Sequence, residues 1–146
     1  MKRPMLPDKH ELLTACRGFP LPADDPVLSA AAELAVLHQG REQTPHCALT
    51  RIEGHRARLM NRIDSWVLLV SPQPLPTARV HTHTMGQVID RLAQLTAHTY
   101  TALAAGPDEV FWEATEFVDD LAIAYTDLAA ELLAGTRRLP LTTTSV

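Results

Sequence analysis

The chain has 146 residues, 46% of them hydrophobic and 21% charged, with a formal net charge of −4. That length suits one domain, able to bury roughly 68–70% of its unfolded surface. The mild negative charge leaves no electrostatic footprint for nucleic acid or an anionic membrane, and no apolar run approaches the ~18 residues that span a bilayer.

The opening segment MKRPMLPDKH carries a basic pair but no apolar run, so no secretory signal is expected. Cys16 and Cys47 support neither a zinc site nor a disulfide framework, and the simplest expectation is a reduced, cytoplasmic protein. Apart from Lys2 and Lys9 every basic residue is Arg, which excludes Schiff-base chemistry in the body of the chain.

Residues 1–26 hold Pro4, Pro7, Pro20, Pro22 and Pro26 and read as an extended arm, with at most a turn of helix around Lys9–Arg17 stopped by Gly18. A helical domain is expected over 27–139, followed by a frayed tail at 140–146. Its first helix, about 27–41, follows Asp25-Pro26, an Asp cap with proline at the first helical position, and carries Val27, Ala31, Leu34 and His38 on its inner stripe. The second, about 45–70, has Leu49, Ile52, Arg56, Leu59, Ile63, Trp66 and Val70 at alternating three- and four-residue steps. This is the spacing of a bundle seam about 36 Å long, and the rest of the chain is expected to pack around it.

Ser71-Pro72-Gln73-Pro74 ends that helix. Thr84-Met85-Gly86-Gln87 opens the third, about 84–105, with a capping box. Gly106-Pro107-Asp108 separates it from the fourth, about 108–134, and so short a link predicts antiparallel neighbours. Gly135 is the expected stop. No stretch alternates as a strand does. The expectation is an all-α protein, an antiparallel four-helix bundle with an extended Pro-rich N-terminal arm.

The segments LHQGRE (37–42), RIEGHRARLMNRIDSWV (51–67), HTHTMGQVIDRLAQL (81–95) and AYTDLAAELLAGTRRLP (124–140) are similar, in order and spacing, to those of a bacterial family. The chain resembles the actinobacterial branch of domain of unknown function 4254. The resemblance implies an all-helical fold in a bacterial cytoplasm and brings no established reaction.

Arg56 stands out because a guanidinium in a seam must find a partner. Equal heights on the neighbouring helices place His98 at its level and His38 somewhat below, which together describe an anion pocket inside the bundle. The plainer reading is an Arg that reaches the edge or pairs with Glu33 or Glu53. A second candidate is His81 and His83, placed by helix pairing at the same end as Asp64, Trp66, Tyr125 and Arg137. There, with Asp64, they would hold a metal or act as acid and base, or meet an anion at a helix N-terminus. Solvated loop histidines are the plainer alternative.

No Glu-x-x-His occurs in the chain, which removes a carboxylate-bridged metal pair, and no metal or other cofactor is expected. Arg62-Ile63-Asp64 echoes helical chorismate mutases, but the helix stops too soon and the body lacks their lysines. The remaining charges, Glu53, Arg58, Arg62 and Asp90 among them, read as outward and solvated. Two functions compete. One is a binder of a small anionic ligand, or an accessory enzyme, using Arg56, His98, His38, His81, His83, Asp64 and Trp66. The other is a homodimeric scaffold whose Ala-rich first helix permits close contact.

Overall fold

A computed structural model describes residues 6–20, 24–41 and 44–140. The structure is all-α, with five α-helices among the described residues: α1 (Lys9–Cys16), α2 (Pro26–Arg41), α3 (Leu49–Val70), α4 (Met85–Ala105) and α5 (Asp108–Ala134). A single 3₁₀ turn at His46–Ala48 leads into α3. Among the described residues no helix is long and apolar enough to cross a membrane.

Local chemistry accounts for most of the boundaries. Asp8 and Glu11 form a reciprocal capping box on α1, and Thr84 and Gln87 form another on α4. Asp25 accepts from the amides of Val27 and Leu28 at 2.8 and 3.1 Å, satisfying two of the free donors at the start of α2. Asp108 and Glu109 lie in the first turn of α5, at the positive end of its dipole. Gly135 stops that helix with φ of +76°, a conformation that a side chain resists.

Two expectations change. Where at most a turn of helix was expected within an extended arm, α1 runs for eight residues, and its Leu12, Ala15 and Cys16 are buried. The capping box starts it, and an apolar face holds it down: the Tyr125 hydroxyl, buried on α5, donates to the carbonyl of Pro7 at 2.6 Å. Residues 1–5 and 21–23 of that arm, and the tail from residue 141 onward, lie outside the described residues.

The second change concerns the centre. Among the described residues α3 packs on α2, α4 and the 3₁₀ turn alone; Leu59 and Ile63 of the expected seam are buried, and Val67, outside it, is the third buried residue of the helix. The hub is α4, which touches α1, α2, α3 and α5. It can do so because it has two seams. Met85, Ile89, Leu92 and Thr96 form one, and Gly86, Asp90, Ala93 and Ala97 form a second at four-, three- and four-residue steps. The small residues of the second seam let neighbouring backbones come close.

Around α4 the order is α3, α2, α1, α5, each touching the next. Among the described residues α5 does not reach α2 or α3, so α4 is left uncovered along one side. The alanines of α2 are spent internally, with Ala30, Ala31 and Ala35 all buried. A minimal parallel pairing joins β1 (Arg79–Val80) to β2 (Arg137–Arg138) and ties the connector before α4 to the end of α5. Short runs of this kind give no alternating pattern to read in a sequence.

Candidate functional site

Arg56 points inward from α3, and its donors are met by protein carboxylates. Nε lies 3.0 and 3.1 Å from the two oxygens of Asp90, and Nη2 lies 2.9 Å from Oδ2. Nη1 donates to Glu53, one turn earlier on the same helix. Such a two-pronged grip fixes both the guanidinium and the carboxylate it holds.

Asp90, on the small-residue seam of α4, is 4% exposed. Its Oδ1 also meets His38 Nε2 at 2.8 Å. Burial pushes its carboxyl up, but the hydrogen bonds from His38 and Arg56 outweigh that and hold it below the usual aspartate value. The same contact with Asp90 raises Arg56 above its already high value, against the pull of burial. Glu53 extends the chain of charges outward: Arg41 Nη2 sits 3.1 Å from Glu53 Oε1, close enough to pair although not aligned for a hydrogen bond. Helices α2, α3 and α4 are therefore cross-linked by Arg41, Glu53, Arg56, Asp90 and His38.

This network backs onto an open cleft of about 830 Å³ over the uncovered side of α4. Its floor is an α4 stripe one to two turns long, Arg91, Leu95 and His98. The α5 wall carries Val110, Glu113 and Phe117, and the α2 wall ends in His38 and Arg41. The Asp90 carboxylate orients His38 in the manner in which a carboxylate holds the imidazole of an acid–base or ligand-binding histidine.

The structure thus joins Arg56 to His38 through Asp90, at the heart of the site. His98 is exposed and shares the cleft with His38; among the described residues no hydrogen bond or ion pair links it to Arg56. The outward, solvated reading of Asp90 is overturned, while the expected pairing of Arg56 with Glu53 is present. Asp90 is buried because α4 is enclosed on several sides, and Glu53 is drawn into the network by Arg41 and Arg56. Asp90 is the residue that sequence reasoning missed. The signal was present in the Gly86, Asp90, Ala93, Ala97 spacing, a second inward stripe beside the apolar one.

The other candidate group is arranged around helix geometry. Asp64 Oδ1 accepts from the Gly86 amide at 2.7 Å, so its carboxylate closes the start of α4 beside the Thr84 cap. Burial raises its carboxyl, with the bonds from Gly86 and Thr84 acting the other way. Gly86 is required there, because a Cβ would stand 2.5 Å from the Met60 carbonyl oxygen.

His81 and His83 are neighbours, their rings 6.3 Å apart, and His81 Nδ1 lies 3.2 Å from the His83 amide. Their hydrogen bonds run to each other and to Thr82 rather than to Asp64. Among the described residues no three His, Cys, Asp or Glu side chains are placed to hold a metal ion. Trp66 is half-buried against the core, and its indole nitrogen meets no hydrogen-bond partner among the described residues. Arg137 pairs with Glu131 at 2.8 Å, and Tyr125 is turned to Pro7.

Fold and site together define an all-helical protein with a buried Arg–Asp–His network behind an open, mixed polar and apolar cleft. Residues 44–108 match the model of the family described as Protein of unknown function (DUF4254), so the family resemblance is borne out over that segment. The match spans α3 and α4 and holds Glu53, Arg56, Asp64, Gly86 and Asp90, while His38, Arg41 and the α5 wall lie beyond it. No curated protein and no solved structure matches the chain.

Proposed function

We propose that the protein binds a small anionic molecule in the cleft over α4. The observation that supports this most is the convergence there of Arg91 and His98 from α4 with His38 and Arg41 from α2, beside an apolar wall from α5. Small-molecule sites combine polar groups that fix orientation with apolar surface, and this cleft offers both. Arg56 acts one layer behind, holding Asp90 and through it His38. We read α2 to α5 as an antiparallel series, supported by the two-residue link Gly106-Pro107, so that the later half of α4 faces the early half of α5.

The test is thermal unfolding against carboxylates, phosphates and sulfonates, using wild type and Arg91→Gln. A midpoint that rises with a compound in wild type, and not in the variant, supports the reading. A panel in which nothing moves the wild-type midpoint ends it.

A second reading, self-association, is favoured by one observation: adjacent Leu68 and Leu69 near the end of α3 are 82% and 75% exposed. Apolar side chains so placed are more often interface than free surface when they cluster. Light scattering on wild type and on Leu68→Ser/Leu69→Ser decides it, since a monomer at every concentration removes the dimer. Two unbonded thiols, Cys16 buried and Cys47 exposed, fit a reducing bacterial cytoplasm.

A further inference from the structure

The charges around the cleft narrow the ligand further. Arg41 and Arg56 face Glu53 and Asp90, two cations against two carboxylates, so that network is already neutralised from within. Arg91 differs. Its Nη1 donates to the neutral Gln94 Oε1 at 2.8 Å, and among the described residues no carboxylate lies within ion-pairing distance. One turn of the helix and more beyond it, on the same stripe, stands exposed His98. The α5 wall contributes the opposite charge, Glu113, also without an ion-pair partner among the described residues.

Beside these charges, and beside the polar Gln94 and Thr101, the lining offers apolar surface. Leu95 and Ala114 belong to it, and Val110 and Phe117 stay 42% and 51% exposed, apolar surface that a guest would cover. Val110 to Phe117 spans about 10 Å along α5, the reach of a medium-length acyl or aryl-alkyl group.

We infer that the cleft takes a monocarboxylate with an apolar body, its single negative charge at Arg91 and its hydrocarbon along Val110 and Phe117. This rests on the anion-binding reading above and adds the charge number and the apolar body. A second negative charge along that wall would meet Glu113, which stands between Val110 and Phe117, and a small inorganic anion would leave the apolar wall wet. A cationic head group would meet Arg91.

Isothermal titration of the full chain with octanoate, suberate, octylamine and inorganic phosphate tests this. Octanoate is expected to bind, and Arg91→Gln and Phe117→Ser each to weaken it at least about tenfold, one charge-assisted contact or one apolar contact being lost. Arg91 is exposed, so its variant is expected to keep the wild-type unfolding midpoint. If Phe117→Ser fails to fold, Arg91→Gln carries the comparison alone. Suberate or phosphate binding as tightly as octanoate, with loss in Arg91→Gln, overturns the monocarboxylate inference and leaves the anion-binding reading standing. Octylamine binding as well as octanoate, or octanoate binding untouched by Arg91→Gln, also overturns it. If no anion binds, both readings fall.

Discussion

Asp90 carries three helices on one carboxylate. Replacing it by Asn keeps the shape but removes the charge that Arg56 and His38 both use, leaving a partly buried guanidinium short of its main acceptor. Discounted for the partial exposure of Arg56, the cost of Asp90→Asn is expected at about 2–3 kcal/mol, read as a lower urea midpoint at pH 7. The same residue sets an acid limit. Its folded value is depressed below the unfolded one near 3.9, so its contribution is complete above that pH and lost as pH falls through the folded value.

Asp64 has the reverse sign. Its folded value is raised, so the folded state carries a cost at neutral pH that is relieved as pH falls through that raised value toward about 3.9. Asp64→Asn, which keeps an acceptor for the Gly86 amide, is therefore expected to be as stable as wild type or more so at pH 7. The difference should shrink by pH 4. A variant clearly weaker at pH 7 would show that the charge itself holds the start of α4.

At the scale of elements, the crossing of α3 and α4 depends on the absence of a side chain. A Cβ at Gly86 would meet backbone oxygen of Met60 at 2.5 Å and Asp64 Oδ1 at 2.9 Å, and the Met60 backbone cannot yield without moving a helix. Gly86→Ala is expected to cost about 2 kcal/mol or more, well beyond the usual gain of Ala over Gly in a helix. Thermal unfolding of this variant beside Gly54→Ala, whose nearest atom is the end of the Arg58 side chain at 3.6 Å, separates the clash from helix propensity. Only the Gly86 change should lower the midpoint.

This element also explains what the sequence does and does not display. The Thr84–Gln87 box and the Asp25-Pro26 and Gly106-Pro107 signals announce helix starts because capping is settled within three or four residues. The role of α4 as hub was hidden, since its second seam is built from Gly, Asp and Ala, which periodicity of large apolar residues does not detect. The more conspicuous seam of α3 drew the centre to the wrong helix.

Across the whole molecule, α1 is part of the core rather than a loose cover. A buried polar link helps attach it, Tyr125 to the Pro7 carbonyl, on a phenol whose ionisation burial and nearby Asp25, Asp8 and Glu11 push upward. Tyr125→Phe is expected to lose about 1 kcal/mol and to raise hydrogen exchange in α1 more than in α4. Uniform acceleration across all helices would show that α1 does not open by itself.

Residue order by itself determined that this chain is helical and where several of its helices begin, because caps, prolines and apolar periodicity act over a few neighbouring residues. It also placed His38 on an inner stripe and marked Arg56 as a guanidinium that needs a partner, leaving open whether it turns inward or to the edge. Only the packed helices decided that Asp90 lies between them, since those partners are 34 and 52 residues away along the chain. They also decided that α1 fills the place beside α5 and that the side of α4 left open becomes a cleft. Contacts at such separations follow from how finished helices lie against one another, which no local pattern encodes.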